Sequence, residues 1–316
     1  MADEMNKDDI EQEAQLNEEE KTYDLHKWED VIALFRDELN DEQIKSHVAK
    51  HIQILISESK IEKYRVVFLF DDWHSISPYH SNQIYKAVSE LNKKADILLV
   101  LQSGGGKIEP AYLISKTCKR LCKNKFNVSI PRRAKSAATL ISLGAAELHM
   151  GLLSELGPID PQFGGFPASG LANAMEKVAE MSSKFPKASD MFAKYLTDNL
   201  DIKDLGYFER INESAVQYAE RLLRGKKLPE NWDEERLAHH LTNHYKDHGF
   251  VIDSDEASTL LGKSVVKENT AEYEFGNKIY EFLDFLDFAY SALRNKRIRY
   301  VGSVESGLDT FEEPKK

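Results

Sequence analysis

The spacing of apolar positions changes period as the chain runs. From about residue 25 to 60, "LHKWEDVIALFRDELNDEQIKSHVAKHIQILISES" places apolar side chains three and four apart, which predicts two helices. The pattern then becomes continuous. "YRVVFLF" (64–70) and "ADILLVLQ" (95–102) are short unbroken apolar runs rich in β-branched and aromatic residues, as expected of strands covered on both faces. Between them Ser77 and Pro78 open a helical period, so 64–102 is predicted to form a βαβ unit with a right-handed crossover. A loop and helix in "QSGGGKIEPAYLISKTCKRLCK" lead to a third strand, "FNVSIP" (126–131), then a helix in "AKSAATLISLG" and a short strand in "AAELHMG". "ELGPIDPQFGGFPASG" (155–170) reads as a long loop. Beyond about 170 the periodicity is helical to the end, through "LANAMEKVAEMSSKF", "SDMFAKYLTDNL", "YFERINESAVQYAERLLRG", "EERLAHHLTNHYKDHG" and the aromatic-striped "AEYEFGNKIYEFLDFLDFAYSALRN".

Composition narrows the function classes. A chain of 316 residues with 41% hydrophobic content holds one large domain or two modest ones. A formal charge of −11 argues against nucleic acid as a partner, because binding a phosphate backbone calls for a broad basic surface. Residues 1–22 are acidic and too poor in apolar groups to offset the entropy of ordering them, which predicts a disordered tail. That segment has no secretory pattern, and no run approaches the ~18 apolar residues of a membrane span, so the expected location is cytoplasmic. Cys118 and Cys122 share a helix face at a spacing of four and are read as buried thiols in a reducing compartment.

Two features occupy the position where open α/β sheets place ligand-binding groups, the passage from strand end to helix start. One is the triplet Gly104, Gly105 and Gly106, which lets backbone N–H groups approach a substrate. The other is Ser136, ahead of the "AATLISL" helix. Its plain reading is an N-cap; its chemical reading is a nucleophile whose adduct the helix dipole and nearby amides would stabilise.

These stretches, "LLVLQSGGGKIEPAYLI", "IPRRAKSAATLISLGAAELHMG" and "SELGPIDPQFGG", resemble the serine dehydrogenase proteinase family of the Clp-protease-like and crotonase-like superfamily, relatives of signal peptide peptidase A and the NfeD-type proteases. The resemblance is strong over about 60–180 and extends to "HLTNHYKDHGFVIDSDEASTLLG" (240–262). It implies an α/β Clp-protease/crotonase-like fold of repeated ββα units: N-terminal helices over 23–60, a catalytic core over 61–185, and a helical region over 186–316 that completes or decorates it. It puts Ser136 on the nucleophile, the Ala137 N–H on one oxyanion donor, and Gly105 or Gly106 on the other. Gly104 stands where the relatives have proline, and Ala138 where they have glycine. No dinucleotide fingerprint accompanies the glycines, and no cofactor or metal is expected.

The base is the open member. The loop after the serine's helix contains no histidine, only Asp160 roughly where Clp-type enzymes carry theirs, so a histidine triad is not expected. The NfeD-type relatives use a lysine, which gapless alignment places on Lys177, with Lys184 and Lys187 as alternatives; Lys135 is expected to point away. A lysine serves as base only if burial lowers its pKa. His239, His240, His244 and His248 include a four-residue stripe compatible with metal ligation but are read as a helix face packed on a neighbour. Asp71, Asp72 and His74 lie past the first strand and are read as a turn, with the cleft as the other option. The reading that results is a serine endopeptidase with a Ser136–Lys177 dyad, acting on a peptide or protein substrate as a homo-oligomer. An acyl-CoA-binding crotonase-like enzyme and a non-catalytic peptide-binding scaffold are the alternatives.

Overall fold

The computed structural model describes residues 21–89, 94–163, 166–199 and 202–313, so the acidic segment up to residue 20 lies outside the described residues. Two helices come first, α1 (Trp28–Arg36) and α2 (Asp41–Glu58). Asn40 starts the second with a capping box, its side chain accepting the Gln43 N–H while the Gln43 side chain accepts the Asn40 N–H. β1 (Tyr64–Asp71) and β2 (Asp96–Ser103) then pair in parallel over their whole length, from Tyr64 opposite Asp96 to Asp71 opposite Ser103, with α3 (Pro78–Ser89) between them.

The chain continues through α4 (Ile108–Leu121), β3 (Phe126–Ser129), the two-residue β4 (Arg133–Ala134), α5 (Ala137–Leu143), β5 (Glu147–His149) and β6 (Glu155–Leu156). A hairpin, β7 (Gln162–Phe163) and β8 (Phe166–Pro167), precedes five helices: α6 (Ala168–Lys184), α7 (Ser189–Asn199), α8 (Ile202–Leu223), α9 (Glu234–Asn243) and α10 (Ser254–Leu261). Then come β9 (Val266–Lys267), α11 (Ala271–Arg294), β10 (Lys296–Gly302) and β11 (Leu308–Glu312). The main sheet runs β11-β10-β1-β2-β3-β5-β9, with β4 paired to β2 and to β6 off this path. The expected α/β class is observed.

Alternation along β1 and β2 explains why both strands are apolar throughout. Val67, Leu69, Leu99 and Leu101 enter a core on the face covered by α3, α4, α5, α8 and α9; Val66, Phe68, Phe70, Leu98 and Val100 enter a second core against α1, α2 and α11. Cys118 is buried in the first core, where desolvation pushes its thiol pKa up, and Cys122 is half-buried at its margin.

Three expectations need correction. The 155–170 stretch is not all loop, since it holds β6 and the β7–β8 hairpin among its described residues. The last part of the chain is not all helix: β10 pairs antiparallel with β1, Phe68 opposite Gly302, and β11 with β10. The histidine stripe does not continue along one helix, because α9 ends at Asn243 and His244 caps it. Among the described residues no helix is long and apolar enough to cross a membrane, and no cluster of metal-ligating side chains occurs.

Candidate active site

The C-terminal ends of β2 and β4 lie side by side, Ser103 opposite Ala134, and the Lys135 N–H donates to the Ser103 carbonyl at 3.1 Å. This pairing brings the glycine loop against Ser136. A Cβ on Gly105 would stand 2.8 Å from the Ser136 Cβ and 2.8 Å from the Lys135 carbonyl oxygen, so only glycine permits the approach. Gly105 and Gly106 have φ of +105° and +150°, which glycine alone adopts without strain. Their course is pinned to the segment after β1: the Ile76 N–H donates to the Gly105 carbonyl at 2.8 Å, and the Lys107 N–H to the Ile76 carbonyl at 2.9 Å.

Ser136 itself has φ 51° and ψ −118°, a left-handed backbone that a residue with a Cβ adopts only at a cost of about 1–3 kcal/mol. It precedes α5 at the N-cap position, yet its side chain caps nothing. The plain capping reading of this serine is therefore replaced by one in which the turn holds a free hydroxyl at a cleft. Behind it, the buried Thr139 hydroxyl donates to the Ala134 carbonyl at 2.7 Å and accepts the Gly157 N–H at 3.0 Å, locking β4, α5 and the 157 turn together.

The cleft encloses about 720 Å³. Gly104, Gly105, Gly106 and Ser136 form one part of its lining; Asp72 and His74, Lys107 and Glu109, Ile159 and Gln162, Tyr207 and Ile211 of α8, and His248 are among the rest. The segment after β1 is thus both turn and wall. Asp71 accepts the N–H groups of Trp73 and His74 at 2.9 and 2.8 Å, the turn expected of it, and lies 3.2 Å from the buried His80. Asp72 binds Arg133 through Nε at 3.0 Å and Nη2 at 2.8 Å.

Of the N–H groups expected to hold an oxyanion, that of Gly105 donates to the Ser103 hydroxyl at 3.2 Å. Among the described residues no acceptor takes the N–H of Gly106 or of Ala137.

Lys177 is not brought to this cleft. It sits on α6, 66% exposed, paired with Glu180 at 3.0 Å, and Lys184 and Lys187 are exposed as well. No desolvated amine faces Ser136 from these positions. Lys135 points away, as expected: its amine binds Glu155 at 2.9 Å and the Phe250 carbonyl at 3.0 Å. His240 and His244 stack on each other with ring centroids 4.1 Å apart, beside Trp232 and Tyr245, while His239 and His244 are exposed.

His248 departs from that group. It reaches back to the buried Asp160, with Nδ1 2.6 Å from Oδ1. The two residues are 88 positions apart in sequence, and the pairing of Leu156 with Ile252, with the Ile159 N–H donating to the Leu241 carbonyl, brings their segments together.

Residues 66–227, just over half of the chain, match the sequence profile of the ClpP-like SDH-type serine proteinases. Two uncharacterized proteins of Methanocaldococcus jannaschii are 34% identical over 97 residues and 32% identical over 103 residues, or 31% and 33% of this chain. The chain spans about a third of the length of these curated relatives, 34% and 35%. Among solved structures, two variants of a membrane-bound stomatin-specific protease are similar at 14% identity. The first has a TM-score of 0.42 and covers 71% of this chain and 86% of its own. The second, in complex with a substrate peptide, has 0.41, 80% and 89%.

Proposed function

Because the chain belongs to the ClpP-like SDH-type serine proteinases, we propose that it is a serine peptidase with Ser136 as nucleophile. Ser136 Oγ adds to the carbonyl carbon of a peptide bond bound in the cleft, and the carbonyl oxygen takes up the displaced electron pair. The N–H groups of Ala137 and Gly106 are the donors we assign to that oxygen, and one such preorganised donor is worth about 3 kcal/mol. Gly105, whose N–H is engaged by Ser103, contributes chiefly by its missing side chain.

The observation that carries this reading is the backbone of Ser136. A left-handed serine whose hydroxyl caps no N–H is a strained conformation retained at the mouth of a cleft, as in the strand-to-helix elbows that expose nucleophiles. A crotonase-type acyl-CoA reaction would use the two amides and has no need of that hydroxyl. Lys177, the base implied by family resemblance, could act only after leaving Glu180 and moving with α6, in this chain or from a second copy. A homo-oligomer belongs to the same proposal; Leu152, Leu153, Phe185 and Met191 are large apolar side chains on its exterior.

A fluorophosphonate probe tests the nucleophile. The native chain is expected to take one label per subunit and Ser136→Ala none. Equal labelling of the two proteins would sink the assignment, and heat on titration with acyl-CoA in the absence of labelling would move the function to the crotonase class.

A further inference from the structure

We infer that Lys135 is a positioning residue for the nucleophile: its amine, gripped by Glu155 and the carbonyls of Gly249 and Phe250, holds the Ser136 turn in its left-handed shape and ties it to the stretch after α9. This rests on the serine-peptidase reading above and adds to it the device that keeps the hydroxyl presented.

A left-handed residue with a Cβ persists only where its surroundings over-determine it, and Ser136, at φ 51°, has such support on each side. After it, the buried Thr139 hydroxyl ties the first turn of α5 to Ala134 and Gly157. Before it, every polar group of Lys135 is committed. The Lys135 N–H donates to the Ser103 carbonyl at 3.1 Å, and its carbonyl accepts the Ala138 N–H at 2.8 Å. Its amine lies 2.9 Å from Glu155 Oε2, 3.0 Å from the Phe250 carbonyl and 3.4 Å from that of Gly249. An ammonium has three donors and no acceptor, so these three oxygens use its whole capacity.

The stem is held as closely as the ends. The Lys135 side chain is 14% exposed, whereas lysines ordinarily keep the charged head in water and are buried only when paired. Its methylenes run over Gly157, where a Cβ would stand 2.6 Å from Lys135 Cδ. Gly157 has no positive φ to call for a glycine, so the space its missing Cβ leaves is the space the stem fills.

The oxygens that receive the amine come from two segments far apart in sequence. Glu155 opens β6, opposite Arg133 of β4, and its N–H donates to the Arg132 carbonyl at 2.6 Å. Gly249 and Phe250 lie between α9 and α10, next to the cleft-lining His248, and the Asp247 carboxylate accepts the Gly249 N–H at 2.9 Å. One side chain therefore joins the serine's turn, the β4–β6 ladder and a wall of the cleft. An exposed ion pair would contribute little, but here the amine is withdrawn from water and two of its three acceptors are backbone carbonyls that have no counter-charge of their own. Nor is this amine placed as a base: its donors are spent on oxygens that lead away from the Ser136 hydroxyl.

The test measures peptide hydrolysis and fluorophosphonate labelling in the native chain, Lys135→Ala, Lys135→Arg, Glu155→Gln and Gly157→Ala, with thermal melts to confirm folding. Misplacing a reacting group by about 1 Å costs up to roughly 100-fold. Lys135→Ala is expected to lose about 10- to 100-fold in kcat and labelling rate, with KM within about threefold. Glu155→Gln leaves both carbonyls their donor and should lose less than about tenfold. Lys135→Arg keeps the charge and the donors but cannot give up a proton, so it should stay within about tenfold of native, where loss of a base would silence it. Gly157→Ala drives the stem from its slot and should slow labelling about fivefold or more in the native chain, yet change nothing further in Lys135→Ala, which has no stem to displace; a merely structural loss would add instead. If the native chain is labelled at Ser136 while Lys135→Ala keeps its rate, or Lys135→Arg goes silent, or Gly157→Ala slows Lys135→Ala as much as it slows the native chain, the positioning role is overturned and the nucleophile stands. A native chain that takes no label overturns both. Should Lys135→Ala melt early, Lys135→Met, which keeps the volume of the stem, gives the same comparison of rates in a folded protein.

Discussion

A single methyl group placed on Gly105 tests the geometry around the nucleophile most directly. At φ +105° a residue with a Cβ pays about 1–2 kcal/mol for the backbone alone. The new carbon would also lie 2.8 Å from the Lys135 carbonyl and from the Ser136 Cβ, and 3.2 Å from the Ala137 nitrogen. None of these can swing aside as the tip of a long side chain could. Relieving such overpacking costs about 1–3 kcal/mol, so Gly105→Ala should lower the unfolding free energy by about 3 kcal/mol in all. Because the displaced atoms belong to the nucleophile's own turn, labelling at Ser136 should fall at least tenfold even where the variant remains folded. Gly104→Ala is the control: its Cβ would meet nothing within 4 Å, and its φ is not positive, so the expected cost is under about 0.5 kcal/mol. Urea unfolding and the probe's labelling rate read the two effects. If Gly105→Ala matched Gly104→Ala in both, the close approach of loop and serine would be refuted.

Two further outcomes follow from the same structure. Ser136→Gly removes the left-handed strain, worth about 1–3 kcal/mol, against about 0.5–1 kcal/mol for glycine's freedom in the unfolded chain, so a variant without the nucleophile should be more stable by about 1 kcal/mol; a loss of stability in urea would count against a strained elbow. Lys226 is half-buried with its amine donating to the Ala145 carbonyl, and desolvation, with the charge of Lys119 beside it, pushes its pKa down to about 8. Between pH 8 and the ordinary lysine value near ~10.4 the unfolded chain binds a proton that the folded chain does not, so stability rises with pH across that window. Relative to Lys226→Met, the native chain should gain about 2 kcal/mol between pH 7.5 and 9.5; parallel curves for the two proteins would contradict the desolvation of that amine.

The parts of the fold that could be read from sequence are those where neighbours along the chain settle the answer. β1, β2 and β3 announced themselves because strands buried on both faces must be apolar throughout, and each is observed within two or three residues of its expected bounds. β10, "KRIRYVG", lies within the stretch whose pattern predicts helix, and Arg297 and Arg299 interrupt its apolar run. Both arginines are accommodated by carboxylates, Arg297 by Asp287 and Glu313 and Arg299 by Asp309, partners that only the folded chain supplies. The cleft divides the same way. Ser136 and the glycines stood out because each lies at a strand end next to its own helix, whereas His248 sat at the tail of an apparent helical stripe and gave no local sign. Its place depends on α9 stopping at Asn243 and on the bridge between Leu156 and Ile252. Asp160 was legible as a position and not as a partner.

The antiparallel seam between β1 and β10 has a consequence for how the protein is made. β1 leaves the ribosome early with one flank ready for β2, but its other flank waits for residues 296–302, and the aromatic layer of Phe275, Phe282 and Tyr290 comes nearly as late. Through most of synthesis a long apolar edge therefore stays open, the kind of template on which nascent chains adhere to one another. Removing residues 296–312 would leave that flank bare, so a strand translated long after β1 is what makes β1 safe.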